Sequence, residues 1–163
     1  VQLYLIRHAI ADDRAGHEGE DRTRRLTDEG HTQASLAARA LQQMAIEPDA
    51  VLTSPYPRAV ETARPIAAVL DAPLIEEARL APGFEPTGFP AMWERHEHAR
   101  SLIVVGHEPD LSTLIEYLTG AHVTMPKGGI ARIEAGTLRS RCELRWLLRP
   151  KQIRLIATAR VTA

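Results

Sequence analysis

The chain has a single cysteine, Cys142, among its 163 residues, so no internal disulfide can form and a reducing compartment fits. No charge of one sign prevails: 20 basic residues stand against 21 acidic ones, a formal net charge of −1. That balance gives no global field for nucleic acid or an anionic membrane surface, and any anion site has to be local. No run approaches the roughly 20 consecutive apolar residues that a spanning helix needs, and the opening apolar stretch, Val1 to Ile6, is far too short for a signal peptide. Internal repeats, low-complexity tracts and an interdomain linker are lacking as well. With 44% hydrophobic and 25% charged residues, the expectation is one globular domain over 1–163, soluble and cytoplasmic, with neither nucleic acid nor membrane as partner.

What is present is a repeated strand-then-turn pattern that ends on phosphate-matching side chains. The apolar run to Ile6 delivers Arg7 and His8 together, a planar guanidinium fork beside a nitrogen nucleophile. Ala50 to Thr53 ends at Ser54 and Pro55, after which Arg58 opens a helical pattern through Val60, Ala63, Ile66, Ala67 and Leu70. Ser101 to Val105 ends at Gly106 and His107, before a helix through Leu111, Leu114, Ile115 and Leu118. In an open α/β sheet, ligands bind beyond the carboxyl ends of the strands, so these segments can meet at one crevice. Two arginines and two histidines would then face one anion.

The periodicity predicts strands at 2–6, 50–53, 101–105, 130–134 and 143–148, with a short one near 74–76. Helices are predicted near 28–44, 57–70, 90–98 and 108–119, with a last one over 149–159. Thr27 reads as the N-cap of the first helix, with Asp28 and Glu29 well placed in its first turn. The fold class is α/β: a three-layer α/β/α sandwich with a mostly parallel central sheet and an antiparallel edge hairpin closed by a polar turn at Gly136. The least regular stretches are 12–24 and 81–90, and the first is expected to be a mobile loop beside the site.

Four ordered motifs give the chain a family likeness: Leu5-Ile6-Arg7-His8; Arg25-Leu26-Thr27 with Gly30; Ser54-Pro55 leading to Arg58-Ala59 and Glu61-Thr62-Ala63; and Val104-Val105-Gly106-His107. In order and spacing they resemble the histidine phosphatase, or phosphoglycerate mutase-like, superfamily over about the first two-thirds of the chain. The compact length, Leu80-Ala81-Pro82-Gly83 and Pro126-Lys127-Gly128-Gly129 resemble most the short SixA-type phosphohistidine phosphatases. Family members often carry Gly after the catalytic His, whereas this chain has Ala9, which predicts ordinary backbone dihedrals at that turn.

The resemblance implies a catalytic set of His8, Arg7, Arg58 and His107. His8 would take the phosphoryl group, and Arg7, Arg58 and His107 would bind its oxygens. The two arginines should push the His8 pKa down and keep its lone pair free at neutral pH. No metal and no cofactor are expected, because the guanidiniums and an imidazolium supply the positive charge. Asp12, Asp13, Glu18 and Glu85 are candidates for a general acid by loop position alone. Arg22, Arg24 and Arg25 could form a basic lip, with Arg25 favoured; Lys127 could reach the crevice rim, and Ser54 could bind phosphate or cap the next helix. His96 and His98 read as surface residues of a charged helix. The implied activity is metal-independent removal of phosphate from phosphohistidine in a signalling or phosphotransfer protein domain. The alternatives are a small-molecule phosphomonoesterase of the same superfamily and a noncatalytic phosphate-binding module.

Overall fold

The computed structural model describes residues 1–13, 19–96, 98–136 and 142–159. In chain order the elements are β1 (Gln2–Arg7), α1 (Asp28–Gln43), β2 (Ala50–Thr53), α2 (Pro57–Val69), β3 (Leu74–Glu76), α3 (Phe89–Glu94), β4 (Ser101–Gly106), α4 (Asp110–Thr119), β5 (Ile130–Glu134), β6 (Glu143–Leu148) and α5 (Pro150–Thr158). The six strands form one sheet in the order β3-β2-β4-β1-β5-β6. The first four positions are parallel, β5 runs antiparallel to β1, and β5 and β6 pair antiparallel at the edge. The predicted edge hairpin is therefore present, although 137–141 of its turn lie outside the described residues.

Strand alternation explains the layers. Tyr4 and Ile6 of β1, Val51 of β2, and Ile103 and Val105 of β4 face α1, α2 and α5. Leu3, Leu5, Leu52, Leu102 and Val104 face the opposite way, onto Phe89, Met92 and Trp93 of α3 and Leu111, Leu114 and Ile115 of α4. Successive side chains of a strand point to opposite faces, so central strands covered on both sides must be apolar almost throughout. Each fully buried large side chain contributes about 1.5–3 kcal/mol.

Two expectations change. The helix predicted over 90–98 spans only Phe89–Glu94, because Phe89, Met92 and Trp93 bury but the charged residues that follow have no apolar stripe to continue it. His96 and His98 therefore lie beyond a helix rather than on one. The predicted first turn of α4 starts two residues later, at Asp110 after Pro109. Thr27 does cap α1, its Oγ1 accepting the Gly30 N–H at 3.1 Å. Among the described residues, the non-glycine positions with positive φ are Ala45 and Asp71, and Ala9 is not one of them.

Gly30 marks the tightest contact behind the first strand turn. A Cβ there would lie 1.9 Å from the Ile10 carbonyl oxygen, a backbone atom that cannot swing aside. Gly30→Ala is expected to cost roughly 1–3 kcal/mol of stability or more, read as a lower urea midpoint with an unchanged m-value. A wild-type midpoint would show that α1 does not brace this turn.

Candidate active site

Strand register brings the site together. Arg7 of β1 is paired with Gly106 of β4, so His8 and His107 leave their strands at the same level, their ring centroids 5.2 Å apart. On the other side of β4, Thr53 pairs with Val105, which sets Ser54 beside His107; Ser54 Oγ lies 2.7 Å from His107 Nε2. The turn after Met125 closes the fourth side. The Gly128 N–H bonds the Arg7 and His8 carbonyls at 3.2 and 3.1 Å, from a left-handed backbone (φ +72°) that suits glycine.

The result is a cleft of about 320 Å3 lined by Arg7, His8, Asp13, Asp21, Arg24, Arg58, Pro82, His107, Glu108 and Lys127. Its floor, His8, Arg58 and His107, is buried; Arg7, Asp21, Arg24 and Glu108 form partly buried walls; Asp13, Pro82 and Lys127 are an exposed rim. All four residues expected to bind and transfer phosphate thus line one cleft.

Hydrogen bonds orient each group. His8 Nδ1 lies 2.8 Å from the Ala9 carbonyl, which can only accept, so the proton sits on Nδ1 and the lone pair on Nε2. Arg58 donates from Nε to that Nε2 at 3.3 Å. The other end of Arg58 is held by Asp21, Nη1 on its carbonyl at 2.7 Å and Nη2 on its carboxylate at 2.9 Å. Tyr56 lies beneath, its ring centroid 5.0 Å from the Arg58 guanidinium carbon and 5.3 Å from the His107 ring. Thr62, one turn after Arg58, accepts the Ala9 N–H at 3.0 Å and donates to the Arg58 carbonyl at 2.7 Å, tying α2 to the turn after β1. Arg7 donates from Nη1 to the Met125 carbonyl at 2.8 Å, and its buried Nε has no partner. His107 Nδ1 is likewise buried without a partner. The Arg7 Nε–H is an unmet donor, and His107 Nδ1 is one in the tautomer whose Nε2 accepts from Ser54; an incoming oxyanion would satisfy them.

Both imidazoles are held neutral at pH 7. Burial lowers His8 to about 4, with Arg58, Arg7 and Arg24 adding to the shift against the opposing Ala9 hydrogen bond. Burial lowers His107 to about 3, followed by His8 and Arg58. The expected direction holds, with burial rather than the arginines as its main cause. Unfolded histidines titrate near 6.5, so between that pH and about 3–4 the unfolded chain binds more protons. Stability is then complete above about pH 6.5 and declines as pH falls through the window, by roughly 3 kcal/mol for His8 alone. Urea denaturation from pH 7 to 4 should show this decline, shallower in His107→Gln; identical slopes in the two proteins would contradict it.

Some expectations about neighbours change. Arg25 is exposed and paired with Glu61 at 2.7 Å, away from the cleft, whereas Arg24 lines it. Arg22 pairs with Glu20 at the surface. Ser54 does not cap α2, whose N-cap Tyr56 makes no side-chain capping bond; its hydroxyl serves His107 and the Tyr56 N–H. Lys127 does reach the rim. Of the acid candidates, Asp13 lines the cleft, Asp12 and Glu85 do not, and Glu18 lies within 14–18, outside the described residues. The expected mobile loop over 12–24 is described only at 12–13 and 19–24. Among the described residues, no three His, Cys, Asp or Glu side chains are grouped to hold a metal ion, and no helix is long and apolar enough to cross a membrane.

Comparison with known proteins finds similar sequences and similar folds. Residues 3–82 match the model of the histidine phosphatase superfamily, branch 1. A protein of unassigned function from Picosynechococcus sp. is 39% identical over 149 residues, 85% of this chain and 88% of that one. Among solved structures, the protein histidine phosphatase SixA complexed with tungstate superposes with a TM-score of 0.84 at 23% identity, covering 94% of this chain and 99% of that one. The alpha-ribazole phosphatase from Shigella flexneri gives 0.77 at 20% identity over 92% and 97%. A phosphoserine phosphatase mutant from Entamoeba histolytica gives 0.71 at 16% identity over 92% and 98%.

Proposed function

Because the chain belongs to the histidine phosphatase superfamily, we propose that it is a metal-independent phosphohistidine phosphatase of the cytoplasm that passes the phosphoryl group through His8. The observation that carries this reading is the tautomer of His8: with Nδ1 held by the Ala9 carbonyl, Nε2 presents its lone pair to the cleft beside the Arg58 fork. Nε2 attacks phosphorus and the P–N bond to the substrate imidazole breaks. That imidazole departs neutral when its other nitrogen carries a proton, so it asks little of a general acid. Water then attacks the phosphorus on His8, releasing orthophosphate and the original imidazole. Arg7 and Arg58 follow the charge on the nonbridging oxygens. Ser54 can donate its hydroxyl proton to His107 Nε2, which leaves Nδ1–H as a further donor, and a bound dianion raises the His107 pKa toward protonation.

The buried floor and exposed rim favour a phosphorylated side chain presented by another protein, which can approach without a closing lid. A small-molecule phosphomonoesterase is the second reading, and Asp13 favours it as a rim carboxyl able to protonate an alkoxide. Glu108 suits that task less, since its oxygens already accept from Ser112 and the Met125 N–H. A noncatalytic phosphate-binding module would have no need of a nucleophilic nitrogen at His8. The test compares kcat/KM for a phosphohistidine-bearing protein domain with that for a panel of phosphomonoesters, with and without a chelator. The expected result is at least a tenfold preference for the phosphoprotein, untouched by chelation. A clear preference for one small ester would overturn the substrate reading.

A further inference from the structure

Asp21 faces two guanidiniums at once. Its Oδ2 accepts from Arg58 Nη2 at 2.9 Å, its Oδ1 from Arg24 Nε at 3.0 Å, and its carbonyl from Arg58 Nη1 at 2.7 Å. Arg24 is anchored at its other end by Nη1 on the Asp12 carbonyl at 2.6 Å. Arg58 is only 3% exposed, and a guanidinium so buried, with further cations nearby, needs a counter-charge. Asp21 supplies it, and offsets the poor placement of a cation in the first turn of α2.

The geometry of the contact matters as much as its charge. A guanidinium has five N–H donors in a rigid plane. Asp21 takes one hydrogen from each of Nη1 and Nη2, the end of the fork. The side edge, Nε–H with the second hydrogen of Nη2, is left for the neighbourhood of His8 Nε2, where Nε already points. We propose that Asp21 is a positioning residue for phosphoryl transfer: it sets the plane of Arg58 so that this side edge meets the oxygens of a phosphoryl group on His8, and it ties Arg24 into the same wall. Asp21 acts through the arginines and does not itself touch the transferred group. The proposal rests on the phosphatase reading above.

The test uses the full chain with Asp21→Asn, which is isosteric and keeps one acceptor, and Asp21→Glu, which keeps the charge but moves it by one methylene. Steady-state rates, orthophosphate affinity by calorimetry, thermal unfolding and the Arg58 Nε–H resonance are measured, the resonance being assigned by its loss in Arg58→Lys. In Asp21→Asn, kcat is expected to fall at least tenfold. Orthophosphate affinity should hold or tighten, since a negative charge leaves the cleft, and the Arg58 Nε–H should lose its protection from exchange. A merely structural role would weaken orthophosphate binding in step with kcat, and that result overturns the proposal. So does wild-type kcat in Asp21→Asn, or in Asp21→Glu should the Asn protein not fold. Were the wild-type protein to turn over no phosphorylated substrate, the phosphatase reading would fail, while an unchanged Arg58 resonance in the variants would separately reject the role of Asp21.

Discussion

Replacing His8 with alanine is expected to lower kcat by at least about 10³-fold, the scale on which loss of a covalent nucleophile is felt. The effect should appear in kcat rather than KM, because the oxygen-binding groups, Arg7, Arg58 and His107, remain in the cleft. The fold should survive. His8 is held by the backbone of its own turn, His8 N–H to the Gly106 carbonyl at 3.0 Å and the Gly128 N–H to the His8 carbonyl at 3.1 Å, and neither bond needs the imidazole. Removing a buried neutral ring also removes its acid penalty, so the variant should be relatively more stable below about pH 6. Retention of more than a tenth of wild-type kcat would place the nucleophile elsewhere.

Arg58→Lys keeps the charge and is nevertheless expected to cost about 10²–10³-fold in kcat, the loss seen when one oxyanion donor is removed. Arg58 reaches three acceptors with three different nitrogens: His8 Nε2, the Asp21 carbonyl and the Asp21 carboxylate. A lysine ammonium is a single point that can satisfy the Asp21 group or face the phosphoryl oxygens, but not both in a fixed plane. It also gives up the stacking of the guanidinium on Tyr56. A rate within threefold of wild type would mean that charge alone suffices there.

The residues read from the sequence are those that strand ends dictate. Arg7, His8 and His107 follow from apolar runs that stop abruptly, and parallel pairing of those runs leaves their ends no choice but to meet. Arg58 follows from its place in the first turn of the helix after a third such strand. Asp21, Glu108 and Tyr56 were not legible in this way, because long-range side-chain contacts leave no local period. Thr62 carried a usable signal: it stands four residues after Arg58, hence on the same helix face. Arg24 carried one as well. In extended chain, alternate residues share a side, and Leu26 is buried beside Ala11, so Arg24 turns inward with it and Arg25 turns out. Helix α3 was overestimated because a charged segment can look helical in pattern with no face to bury. The fold itself was legible in nearly all its elements, since the central strands β2 and β4 are buried along their whole length.

Trapping the phosphoryl group tests the central claim most directly. The wild-type protein is mixed with a phosphohistidine-bearing protein labelled in its phosphate, quenched in alkali during turnover, digested and analysed for labelled peptides. An acid-labile, alkali-stable phosphate on His8 that chases to free orthophosphate is the predicted result. Label on a different side chain, or orthophosphate released at the full rate with His8 never labelled, would contradict the account.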